Sequence, residues 1–166
     1  MNSADWFAAR GIVRTDGELM LVIPDCRQTT DYGCGRACVD AVAEFHGLRP
    51  PRSSPRWANA VQGMAPDTVA AALRSLGLAV LAGGPMEVAT LKALVGAGWP
   101  VICPVTRSGV GHWVVVRGVW RGRVYFHCPS WGACSEPVAT WESQWRDATD
   151  TGTPFVRWGV AAGPPG

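Results

Sequence analysis

The sequence predicts an α+β fold in which N-terminal helices pack on a C-terminal antiparallel sheet. Three observations lead there. Segments with a 3.6-residue apolar period fall between residues 34 and 97, whereas β-branched runs dominate from residue 100 onward. Two of those runs flank a short turn, as a hairpin would. The composition is globular: of 166 residues, 48% are hydrophobic and 17% charged, enough to bury a core and far from a disordered chain.

Taken in order, Leu19–Ile23 is the first expected strand. "CGRACVDAVAEFHG" follows, with Ala37, Cys38, Ala41, Val42 and Phe45 on one helical face. Gly47 ends it as a C′ residue, and Thr30 or Asp31 is placed to cap its start. "APDTVAAALRSLG" is a second helix, opened by Pro66 and Asp67 and stopped by Gly77. "PMEVATLKALVGAG" is a third, with Val88, Leu91, Leu94 and Val95 on one face. Strands are expected at Leu78–Leu81, Pro100–Val105, His112–Val119, Arg123–His127 and Phe155–Val160. A last short helix, "VATWESQWRD", carries Trp141 and Trp145 at i, i+4 spacing. The Pro/Ser-rich stretch Leu48–Arg56 reads as a solvated loop, and "GPPG" as a frayed end. The chain is thus expected to form a single domain over residues 1–166, with residues 1–18 an N-terminal extension and residues 161–166 a flexible tail.

Bulk properties exclude several function classes. The formal net charge is +2, and nearly all the positive charge is Arg scattered along the chain, Lys92 being the only lysine. No basic stripe for nucleic acid or a membrane surface results. Nine tryptophans are spread through the sequence and are expected mainly in the core. No signal peptide and no apolar run of membrane-spanning length are present, so the chain is expected in the cytoplasm, with its six cysteines as reduced thiols.

One cysteine and one histidine are placed to carry chemistry. Cys34 opens the first helix, where unpaired N–H groups and the helix dipole favour a thiolate, the nucleophilic form of cysteine. Cys38, one turn on, faces the apolar stripe and is a buried hydrophobe. Among the three histidines, His46 closes a helix and His127 faces away from the cleft, whereas His112 opens a strand directly after the Gly-rich "RSGVG". If Val119 pairs with Arg123, Val114 faces Cys128 and His112 faces Ser130, giving the imidazole Cys128 or Ser130 as a companion. No carboxylate falls there.

In sequence order, these segments resemble the papain-like bacteriocin-processing peptidases, which cut leader peptides after a double glycine. The resemblance rests on Gln28 six residues before Cys34, on "CGRAC", on "VAAALRSLGLAV" followed by "LKALVGAGWPVICPV", on "GHWVVVRGV", and on "HCPSWGACSEPVATWESQW". It implies a papain-like fold and a cysteine peptidase acting on a peptide or protein substrate without cofactor or metal. Cys34 would be the nucleophile, His112 the base, and Gln28 a donor to the oxyanion. The family's third catalytic member, an Asp, falls on Cys128, and the Asp before its nucleophile is replaced by Gly33. No transporter segment follows, so delivery by an attached exporter is not expected. The missing Asp keeps a second reading open, a peptide-binding or assembly module with weakened chemistry. An acyltransferase would use the same parts. A metal held by Cys34, His112 and Cys128, or a disulfide between Cys34 and Cys128, is a further alternative.

Overall fold

The computed structural model describes residues 11–13, 19–29, 33–49, 64–146 and 155–166. Its elements run β1 (Gly11–Val13), β2 (Leu19–Leu21), α1 (Cys34–Phe45), α2 (Pro66–Ser75), β3 (Leu78–Gly83), α3 (Val88–Gly96), β4 (Val101–Arg107), β5 (Val110–Trp120), β6 (Arg123–Cys128), β7 (Gly132–Pro137), α4 (Val138–Gln144) and β8 (Gly159–Pro165). β1 and β2 form a small antiparallel ribbon. The other six strands form one sheet in the order β3-β8-β4-β5-β6-β7, antiparallel at every pairing. This is the expected α+β architecture.

The sheet is covered on both faces, which is why its central strands read as near-continuous apolar runs rather than as clean alternation. One core joins Cys38, Val39 and Val42 of α1 and Val69 and Leu73 of α2 to Ile102, Trp113 and Val115 of the sheet. The other joins Leu91 and Val95 of α3 and Trp141 of α4 to Val101, Cys103, Val114 and Phe126. Neighbouring residues of β4 therefore face different cores. Trp141 and Trp145 lie on one face as their spacing implied, with ring centroids 5.7 Å apart, and both are buried.

Four expectations need correction. Residues 161–166 are not a loose tail: β8 carries Ala161 and Ala162 into the middle of the sheet, fully buried. The Gly- and Pro-rich end is suited to this, because a Cβ at Gly163 would stand 2.3 Å from the Trp99 ring that packs there. The strand expected at Phe155–Val160 accordingly starts at Gly159. Residues 11–13, assigned to an extension, form β1. β7 was not foreseen at all; "GACSEP" is polar and becomes a strand only through its ladder to β6.

The β5–β6 hairpin turns on two residues, Arg121 (φ 48°) and Gly122 (φ 73°), so that Trp120 pairs with Arg123. Both central residues in the left-handed region is the signature of the twist-matched two-residue turn. A bulge between Val116 and Gly118 then shifts the register by one, and Val115 pairs with His127. The assumed register was wrong at the turn and right at the far end, where the candidate site lies. Thr30 and Asp31, residues 50–56 of the Pro/Ser-rich loop, and the first ten residues lie outside the described residues.

Candidate active site

Helix α1 begins at Cys34 after Gly33, which provides no side-chain cap. The thiol itself occupies the positive, anion-favouring end of the helix. Its Sγ accepts the Trp113 backbone N–H at 3.4 Å, and the amides of Cys34 and Gly35 point the same way. Gly35 allows this closeness. A Cβ there would meet Met64 Cβ at 2.8 Å and Trp113 Cδ1 at 3.1 Å, and the Trp113 indole is anchored by donating to Met64 O at 2.9 Å.

These amides do not make Cys34 a resting thiolate. Burial pushes its pKa above the ordinary thiol value, outweighing the three backbone N–H groups that favour the anion, and the nearby Cys128 thiol pushes the same way. The expectation that the helix start alone would acidify Cys34 is therefore corrected: desolvation wins. Cys38 is deeply buried and its thiol is held far from ionisation by that burial.

His112 stands on β5 beside Val105 of β4, in the segment whose next residue binds Cys34. Its Nδ1 is buried without a hydrogen-bond partner. The ring is flanked by Trp131 at a centroid distance of 5.9 Å. Burial, then the Arg107 charge, lowers its pKa below the usual imidazole value. Arg107 pairs with Glu136 and lies 5.5 Å from the Trp131 ring. Both shifts thus favour the neutral forms, thiol and imidazole.

Cys128 ends β6 opposite Gly132 and is buried, in line with Val114 as the register predicts. It provides no hydrogen bond to His112. Ser130, the other proposed companion of the imidazole, is engaged elsewhere: its hydroxyl donates to Gln28 Oε1 at 2.9 Å. The Gln28 N–H donates to Pro129 O at 3.2 Å, so Gln28 is stitched to the β6–β7 turn. His46 and His127 are buried as packing residues; the His46 ring contacts Ala162 O at 2.7 Å and His127 Nε2 lies 3.3 Å from Asp25.

All six cysteines are free thiols, so Cys34 and Cys128 are not bonded. Among the described residues no group of three His, Cys, Asp or Glu side chains is arranged to hold a metal ion. The sequence did not reveal Trp131, Arg107 or the Trp113 amide as neighbours of the site. Trp131 had a weak signal, an aromatic residue in the "PSWG" turn just after the position where the Asp was expected.

Searches of solved structures place this geometry among known folds. The chain is similar to a double glycine motif protease from an AMS/PCAT transporter, solved in complex with a leader peptide. The TM-score is 0.62 at 18% identity, over 93% of this chain and 98% of that one. It is similar also to the peptidase domain of Streptococcus ComA, a bifunctional ABC transporter of a quorum-sensing pathway, at TM-score 0.60 and 16% identity, over 83% and 96%. The Streptococcus mutans ComA peptidase domain matches at TM-score 0.55 and 13% identity, over 85% and 100%. The fold is that of the papain-like double-glycine peptidase domains. No protein-family model and no curated protein matches the chain.

Proposed function

We propose that the chain is a cysteine peptidase that cleaves a peptide substrate through Cys34 and His112, in the manner of a double-glycine leader peptidase. The observation that carries this is the Cys34 thiol, bonded at 3.4 Å by the amide that follows His112. Nucleophile and base are thereby tied to one backbone segment.

The resting pair is neutral, so His112 acts as a general base during attack. As the sulfur–carbon bond forms at the scissile carbonyl, the thiol proton passes to the imidazole. The Gln28 side-chain amide and the Cys34 N–H receive the negative oxygen. The tetrahedral intermediate then expels the amine, which takes the proton from the imidazolium. Water, activated by the same imidazole, releases the acyl group and restores the thiol. An acceptor other than water at that step would make the same parts an acyltransferase. Supporting the placement of a peptide substrate are the fold and the net charge of +2, too small to gather a polyanion. No described helix is long and apolar enough to cross a membrane.

A peptide-binding module is favoured by one observation, the His112 Nδ1 that lacks the carboxylate partner of a full triad. Incubating the protein with a peptide library bearing an internal Gly-Gly, and reading products by mass spectrometry, separates the two. Cleavage after Gly-Gly that disappears in Cys34→Ala is the expected result. Retention of the peptides by wild type and Cys34→Ala alike, without products, assigns the chain to the binding module.

A further inference from the structure

The segment that carries Gln28 is locked to the β6–β7 turn by more than its own side chain. Ser130 Oγ donates to Gln28 Oε1 at 2.9 Å, and the Gln28 N–H reaches Pro129 O at 3.2 Å. One residue earlier, Arg27 Nη1 donates to Ser130 O at 3.3 Å while its Nε donates to Asp25 Oδ1 at 2.6 Å. The guanidinium lies over Gly132, where φ is +83° and a Cβ would stand 2.6 Å from Arg27 Nη2. Three of these contacts therefore meet the three-residue turn Pro129–Trp131, and the fourth meets Gly132, the first residue of β7.

From this we infer that Ser130 is a positioning residue for Gln28, with Arg27 bracing Ser130 from behind. A primary amide presents an acceptor at one end and two donors at the other. With its hydroxyl proton on Oε1, Ser130 fixes which end is which and turns the NH2 end into the donor an oxyanion requires. Without it the amide loses the donor that marks its oxygen end. The exposed Arg27–Asp25 pair contributes little to stability, as surface pairs do. Its contribution is to hold the Ser130 backbone. The assignment rests on the reading of Gln28 as an oxyanion donor, and its test separates the two.

The test uses two probes of Cys34 on the whole chain. A peptide ending in Gly-Gly-aldehyde adds the thiol across its carbonyl: a C–S bond forms, the carbonyl π bond breaks, and the thiol proton ends on the new oxygen. The adduct carries the tetrahedral oxygen that the donor must stabilise. Iodoacetamide alkylates the same sulfur and forms no such oxygen. Ser130→Ala is expected to weaken the aldehyde about tenfold while the alkylation rate changes less than about twofold. Ser130→Thr, which restores the hydroxyl, returns the aldehyde affinity, and Arg27→Ala gives a smaller loss in the same direction. Gln28→Ala weakens the aldehyde at least as much as Ser130→Ala. If Gln28→Ala weakens it and Ser130→Ala does not, the positioning role is wrong and the oxyanion reading stands. If Gln28→Ala leaves it unchanged, or wild type forms no adduct, the oxyanion reading is overturned and the role of Ser130 with it.

Discussion

Around Cys34 and Gln28 the polar groups are tied to backbone and to one another; around His112 they are not. The thiol has the Trp113 amide, Gln28 has Ser130 and Pro129, and Gly35 lets α1 approach β5 closely enough for the first of these contacts. The imidazole has an indole beside it and a buried Nδ1 with nothing to accept its proton. On the proposed reading the parts of a cysteine peptidase are built into the nucleophile side, and what is lacking is an acceptor for the imidazole. A buried N–H or nitrogen without a partner is costly, and in a triad that acceptor also stabilises the protonated ring. The contrast teaches that the Cys34 and Gln28 side is fixed by hydrogen bonds, whereas the imidazole has no acceptor for an Nδ1 proton.

Gly35→Ala attacks the stronger side and should have the largest effect. The added methyl would stand 2.8 Å from Met64 Cβ and 3.1 Å from Trp113 Cδ1, so Met64 and the Trp113 ring must give way by tenths of an ångström or more. Alanine is a better helix former than glycine by about 1 kcal/mol, yet the clash falls on a packed interface that offers no room. Cleavage is expected to fall about a hundredfold, the scale of a misplacement near 1 Å, with the helical circular dichroism retained. Unchanged cleavage would mean that the Trp113–Cys34 contact is not needed.

Cys128→Asp repairs the weaker side. A carboxylate at the end of β6 gives Nδ1–H an acceptor and raises the His112 pKa, the usual effect of a nearby opposite charge. Cleavage is expected to rise about tenfold and its optimum to move toward neutral pH. Because Cys128 is buried, an ionised Asp also carries a desolvation cost, and thermal melting should show a modest loss of stability unless the new pair forms fully. No gain in cleavage together with lower stability would place the deficit elsewhere.

Much of this was legible in the sequence. The apolar period of residues 37–45 located α1, and the "GHWVVVRGV" run located β5, so Cys34 was found as the first residue of α1 and His112 near the start of β5, both elements with strong local signals. The vacancy at Cys128 was legible too, from the order of segments. What was not legible depends on contacts between distant residues. Ser130 is 102 positions from the amide it binds, and nothing local to "CPSWG" distinguishes an imidazole partner from a glutamine partner. β7 has no apolar alternation, and its strand character comes from β6. The C-terminal residues looked frayed because Gly and Pro usually are, until the Trp99 ring shows why Gly163 stands there. The thiol's pKa direction was misjudged for a related reason: the helix terminus is read from sequence, but the burial that outweighs it is a property of the packed chain.

Whether Cys34 and His112 rest as a neutral thiol and a neutral imidazole is tested most directly by the pH dependence of Cys34 alkylation. Iodoacetamide reaction at Cys34 would be followed by peptide mass spectrometry in wild type and His112→Ala. A raised thiol pKa places the thiolate at higher pH, and a lowered imidazole pKa leaves His112 uncharged at neutrality. The rate is therefore expected to climb only above the free-thiol value of about 8.5, nearly alike in both proteins. Rapid alkylation persisting down to about pH 6 in wild type and lost in His112→Ala would show a preformed thiolate–imidazolium pair and contradict the account.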